Sequence, residues 1–215
     1  MRLHTISLII ALLTTPLVAS AGKVDTWAYQ LQQYDEEQLM AVAVDLFVVD
    51  PDELSRAKVH VSSLKVKNGQ VLAYVSVGEA EAYRTYWQGS WRQAPPAWMA
   101  EENPNWKDNF KVKYWNSEWQ AITVGRVEAM ARAGYDGMYM DVVDAYEYFE
   151  ERGESSARED MVEFVVKLSK AARAINPKFA VIAQNAAELF EDEDYNEAVD
   201  GIANEDTFYH GDQRQ

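Results

Sequence analysis

The chain reads as an α/β protein built on a parallel sheet. Short β-rich apolar runs alternate with helical patterns from Thr26 onward, and most of the runs end in a polar residue. Hydrophobic content is 48%, in the globular range. The runs are Thr26–Leu31, Leu46–Asp50, Val71–Glu79, Gly137–Asp141, Phe179–Asn185 and Gly201–Glu205. Six strands fall short of the eight, over about 250 residues, that close a (β/α)₈ barrel. The pattern therefore predicts either an open sheet or a barrel lacking its last two βα units.

Two helices are marked clearly between the runs. Ser156 and Glu159 have the spacing of a capping box. Met161, Phe164, Val165, Leu168, Ala172 and Ile175 then recur at helical spacing until Asn176-Pro177 stops them. Trp119, Ile122, Val127 and Met130 share one face of an earlier helix, which Gly134 closes. These stripes are packing surfaces.

The N-terminus carries a different signal. Arg2 precedes an apolar run from Ile6 to Val18, and Ala19-Ser20-Ala21 follows with the small-x-small pattern of a signal-peptidase site. Residues 1–21 are thus expected to be a signal peptide, and 22–215 a single secreted or periplasmic domain. The apolar core is too short for a stable membrane anchor. With no cysteine in the chain, stability must come from packing without disulfides, and thiolate metal sites and cysteine nucleophiles are excluded.

Net charge is -15. That sign argues against nucleic acid as a partner and suits a neutral or cationic ligand, although acidity also serves solubility. His4, His60 and His210 show no ligand spacing, so neither a metal nor a cofactor is expected. Phosphate-binding glycine loops and nucleophile elbows are missing from the sequence as well.

One connection is abnormally long. Residues 80–116 separate the third run from the next helix, where about 2–6 residues are usual. Trp87, Trp91, Trp98, Trp106, Trp115 and Trp119 lie in or beside it, with Tyr83, Tyr86 and Tyr114. Such rings either pin the segment by packing on one another or stack on pyranose faces. Asp50, Glu79, Asp141, Asn185 and Glu205 end five runs, at the sheet edge where α/β proteins bind ligands. A helix cap or solvated loop residue accounts for any one of them; five at equivalent places point to a polar site.

The segments Trp27–Gln32, Ala73–Arg84, Tyr114–Trp119 and Tyr135–Tyr146 together resemble glycoside hydrolase family 114, the endo-α-1,4-polygalactosaminidase group. The resemblance is colinear over nearly the whole of residues 22–215. It implies a (β/α)₈ TIM-barrel type fold, here without its last two βα units, and hydrolysis of α-1,4-linked galactosamine in an exopolysaccharide. It also implies two catalytic carboxylates, carried onto Asp141 and Glu205. A polysaccharide, and specifically a cationic amino-sugar polymer, is the expected partner.

Two carboxyl groups suit glycosidic cleavage, since one protonates the leaving oxygen while the other stabilises or attacks the anomeric carbon. Asp141 is expected as nucleophile or stabiliser and Glu205 as acid/base. Tyr74, Glu79, Tyr83, Arg84, Trp87, Asp144 and Asn185 are expected around the substrate. The rival expectation is a non-catalytic glycan-binding protein on a degenerate barrel.

Overall fold

The structure, a computed structural model, describes residues 24–205 and, for the backbone alone, 209–210 and 213–214. The expected signal segment lies outside the described residues. In chain order the elements begin β1 (Trp27–Gln30), α1 (Glu36–Ala41), β2 (Leu46–Val49), α2 (Pro51–Arg56), α3 (Val61–Leu64) and β3 (Gln70–Ser76). The long connection holds β4 (Glu79–Glu81), β5 (Met99–Glu102) and β6 (Asn109–Val112). After it come α4 (Ser117–Ala133), β7 (Gly137–Asp141), α5 (Ala145–Glu150), α6 (Ala157–Ile175) and β8 (Ala180–Gln184). The chain continues through α7 (Glu193–Ala198) and β9 (Gly201–Ala203) to a short hairpin, β10 (Tyr209–His210) and β11 (Gln213–Arg214).

All six expected runs form strands of one parallel sheet, in the order β1-β2-β3-β7-β8-β9. Each new strand joins beside the last, so the sheet winds in one direction and curls into a partial barrel. Phe47, Val49, Val71, Ala73, Val75, Met138, Met140, Val181 and Ala183 belong to the core packed under the helices. Val48, Leu72, Tyr74 and Tyr139 form a second cluster on the opposite face, the inside of the curl, with Leu31 and Ile182 against it. Covering both faces explains why the strands read as unbroken apolar runs.

The lower rim is tied by a repeated device. Asp45, Asp136 and Asp200 each sit just before a strand, and each accepts a backbone N–H near the start of the neighbouring strand. Thr26, Val71 and Val181 are the donors, at 2.8, 2.9 and 2.8 Å. Gly137 follows Asp136 where a Cβ would lie 2.4 Å from the Ala180 carbonyl oxygen, so only glycine admits the close approach of β7 and β8 there.

Helix α6 runs from Ala157 to Ile175 and buries Met161, Phe164, Val165, Leu168 and Ala172 as the spacing predicts. Its expected capping box does not form. Ser156 Oγ instead bonds Asp160 at 2.8 Å and Glu154 at 3.0 Å, because its backbone is already helical (φ -90°, ψ -4°) and the hydroxyl is not aimed at the first N–H groups. In α4 the Asn116 side chain caps the start and Gly134, at φ 92°, ends it.

The third run does not extend to Glu79 as a single strand. Pairing with β7 finishes where Val77 N–H reaches the Asp141 carbonyl, and the Gly78 carbonyl already accepts from Val112. Glu79–Glu81 therefore belongs to a separate antiparallel sheet of order β4-β6-β5. This small sheet stands on an aromatic chain: Trp87–Trp91, Trp91–Trp98 and Trp98–Trp119 have centroid spacings of 5.3, 5.1 and 5.1 Å. Trp119 of α4 is itself held by its Nε1, which donates to the Val77 carbonyl at 3.0 Å, so the Trp98–Trp119 contact fastens the insertion to the barrel.

Truncating Trp98, which is 1% exposed, is expected to cost about 3–5 kcal/mol in urea unfolding. Trp106→Ala, at a ring 68% exposed, is expected to stay within about 0.5 kcal/mol of the parent. Equal losses would refute the packing assignment.

Candidate active site

Asp141 closes β7 at the upper rim, and side-chain parity turns it with Tyr139 toward the inside of the curl. Both carboxylate oxygens are held. Tyr74 OH donates to Oδ2 at 2.6 Å, and the Val142 backbone N–H donates to Oδ1 at 2.8 Å. The second bond requires Val142 at φ 59°, a left-handed conformation that is costly for a β-branched residue. Gly78 makes room for this turn, because a Cβ there would lie 2.3 Å from the Val142 carbonyl oxygen.

Burial raises the Asp141 pKa to about 6, against the lowering effect of the Tyr74 and Val142 hydrogen bonds. The charges of Glu205 and Glu81 push it the same way as burial. Burial is also the main cause holding the phenols of Tyr29 and Tyr139 well above their ordinary range, with smaller contributions from Asp141 and Glu205. These two rings meet edge to face at 5.4 Å. Asp141, Glu205, Tyr29 and Tyr139 therefore share one electrostatic environment at the mouth of the curl.

Asn185 organises the far side. It stands at φ 60° just beyond β8, with Ala186 also left-handed at φ 56°. Its Nδ2 donates to Asp144 Oδ2 at 3.2 Å and to Glu205 Oε2 at 3.5 Å. Its Oδ1 accepts the Glu205 backbone N–H at 3.1 Å. Asn185 is thus a bracket between two acids. Asp144 stands at the N-terminal cap position of α5 but makes no side-chain cap bond, and burial raises its pKa.

The other expected residues lie behind this layer or beside it. Arg84 is 5% exposed, and its guanidinium is occupied by protein carboxylates. It bonds Glu81 through Nε at 2.6 Å and through a terminal nitrogen at 2.9 Å, pairs with Asp50, and lies 3.7 Å from Asp52. Its carbon centre is 5.4 Å from the Tyr74 ring centroid and 5.1 Å from that of Tyr83. Arg84 backs the tyrosine that holds Asp141. Tyr83 is half exposed and donates to Glu81 Oε1 at 2.6 Å.

Glu79 is buried and accepts from Asn103 at 2.7 Å and Lys111 at 3.4 Å. Trp87 packs on Trp91 and Phe110, with Arg92 over its ring, inside the aromatic layer of the insertion. Glu81, Tyr29 and Tyr139, which the sequence reading does not single out, also stand in the surroundings of Asp141. The available signal was parity: Tyr74 and Ser76, like Tyr139 and Asp141, are two apart on strands, and Glu79 and Glu81 repeat that spacing.

Among the described residues, no group of three or more His, Asp or Glu could hold a metal ion. A cavity of about 790 Å³ lies between α2, α3 and α4 on the outer face, lined by Leu54, Val61, Ile122 and Tyr135. None of the acids around Asp141 lines it.

Replacing Arg84 with Ala strands Asp50 and Glu81 without their buried cation, and should destabilise the fold by about 3–5 kcal/mol. Arg84→Lys should recover only part of that loss, because an ammonium cannot repeat the paired bonds to Glu81. Unchanged thermal unfolding of both variants would contradict this account.

Residues 13–213 match the glycoside-hydrolase family GH114. An uncharacterised protein of Deinococcus radiodurans is 38% identical over 205 residues, covering 91% of this chain and 66% of the relative. The chain thus spans slightly less than two thirds of that protein's length. Among solved structures, the glycoside hydrolase domain of PelA from Pseudomonas aeruginosa superposes with a TM-score of 0.67 at 16% identity, covering 85% of this chain and 68% of that one. Aspergillus fumigatus Ega3, solved in complex with galactosamine, gives a TM-score of 0.60 at 19% identity, covering 83% and 65%. At these identities the two structures speak for the fold, and the partial barrel matches about two thirds of each. The chain belongs to glycoside-hydrolase family GH114.

Proposed function

We propose that this protein is an exported glycoside hydrolase that cleaves an α-1,4-linked galactosamine-containing exopolysaccharide by a two-carboxylate mechanism. The observation that carries the reading is the clamped Asp141, with a hydrogen-bond donor on each carboxylate oxygen and Glu205 near enough to raise its pKa. Two donors suit the ionised form, which is the form a nucleophile or charge stabiliser needs. Glu205 is exposed at the rim and tethered by Asn185, a place from which a carboxylic acid can meet a leaving oxygen.

In this mechanism Asp141 attacks the anomeric carbon while Glu205 gives its proton to the departing sugar oxygen. Glu205 then takes a proton from water as that water releases the sugar from Asp141, and configuration is retained. The chain's net charge of -15 favours capture of a cationic amino-sugar polymer, and the Ega3 structure was solved with galactosamine, an amino sugar from which such a polymer is built. Export is supported by the apolar segment before Ala19-Ser20-Ala21. Among the described residues, no helix is long and apolar enough to cross a membrane.

Asp141→Asn and Glu205→Gln are each expected to lower turnover of an α-1,4-galactosamine polymer by about 10²–10⁴-fold with the fold intact. The kcat/KM profile of the parent should lose activity as pH falls through about 6, where Asp141 takes up its proton. Loss as pH rises through about 6 would reverse the roles of the two acids. Polymer binding without cleavage by the parent would favour the glycan-binding alternative.

A further inference from the structure

The cavity of about 790 Å³ between α2, α3 and α4 takes no part in the chemistry around Asp141, yet it has the size of a small-molecule pocket. The buried part of its lining is apolar, from Leu54, Val61, Met130 and Tyr135. Its exposed part carries Lys58 and His60, with the half-buried Arg126 beside them. The one acid in the lining is Asp52, whose Oδ2 lies 3.2 Å from Arg126 and 3.7 Å from Arg84. Two arginines therefore neutralise Asp52, and Lys58 is left uncompensated. Among the described residues, the side chains of Lys58 and His60 have no hydrogen-bond or ion-pair partner. In a chain of net charge -15 this is a local reversal of sign.

Two residues of the lining sit where another residue would be more stable. Lys58 follows the end of α2 at φ 58°. Its N–H reaches the Ser55 carbonyl at 3.0 Å and the next N–H, of Val59, reaches Leu54 at 3.1 Å. That pair of bonds is the helix ending in which glycine usually takes the left-handed position, and a lysine there is strained. Gly125 is the reverse case. It lies in the middle of α4, where glycine weakens a helix, and a Cβ built on it would meet no atom within 4 Å. Packing within the chain does not require that glycine; its lack of a side chain leaves the cavity open.

We propose that this cavity binds an amphiphile with an apolar body and a single anionic head. The body covers Leu54, Val61 and Met130 in the space left by Gly125, and the head pairs with Lys58 at the exposed edge. Burial of the body against the apolar lining supplies the drive, and the free lysine sets the sign of the head. A sugar chain would leave that lining unused, so this site is separate from the one that holds glycan.

The test is calorimetric titration of the whole protein with decanoate and with decylammonium, both kept below micelle-forming concentrations. The two probes share a similar chain and carry opposite heads. Net charge alone favours the cation; the proposal expects saturable binding of one decanoate per chain, tighter than that of decylammonium. Gly125→Leu, which fills the cavity, should abolish decanoate binding. Lys58→Gly should weaken it about 2- to 5-fold, the range of an exposed ion pair. Both variants should melt no lower than the parent, since leucine suits a helix interior and glycine suits the left-handed turn, so lost binding would not reflect lost fold. Failure of decanoate to bind, or decylammonium binding as tightly, would overturn the proposal. Decanoate binding unchanged in Gly125→Leu would place the probe elsewhere, and binding unchanged in Lys58→Gly would remove the partner of the head; either result would overturn it as well.

Discussion

Tyr74 and Asp141 stand on adjacent strands and meet inside the curl, where the phenol donates to the carboxylate at 2.6 Å. Much of the upper rim is arranged to keep that bond in place. Arg84 lies against the face of Tyr74, and Asp50 and Glu81 hold Arg84. Asp50 also accepts the N–H groups of Asp52 and Glu53 through its other oxygen, which ties this cluster to the start of α2. On the other side, the left-handed turn at Val142 returns a backbone N–H to Asp141, and Gly78 leaves space for it. The constraint common to these features is a carboxylate kept mostly out of water without losing its charge.

Holding Asp141 this way costs stability. Its pKa is about 6 in the folded chain and near the ordinary carboxylate value when unfolded. Between those two values the native state binds a proton that the unfolded chain has released, so folding weakens as pH rises across that window. Above about 6 the full penalty applies, on the order of 1–3 kcal/mol before allowance for the group's part exposure. The packing elsewhere offsets it, through the helix-covered core and the aromatic chain from Trp87 to Trp119.

The central strands were legible because a parallel sheet covered on both faces leaves unbroken apolar runs, each closed by a polar residue such as Asp50, Asp141 or Asn185. Helix ends at Gly134 and Asn176-Pro177 were legible for local reasons of backbone geometry. The three-stranded insertion was not. Its strands are three or four residues long, and their pairing, as in Glu79 opposite Lys111, joins residues about thirty apart. Arg84 looked like a substrate contact because sequence does not report that its three carboxylate partners come from two separate segments.

The hold of Tyr74 on Asp141 can be observed without any substrate. Carbon-13 NMR of a sample labelled at the aspartate carboxyls, followed through a pH titration, reads the ionisation of Asp141 directly once Asp141→Asn has identified its resonance. The account predicts a midpoint near 6 in the parent. It also predicts a higher midpoint in Tyr74→Phe, because the phenol's bond lowers this pKa and its loss leaves burial unopposed on that oxygen. A midpoint near the ordinary aspartate value, unmoved by Tyr74→Phe, would contradict it.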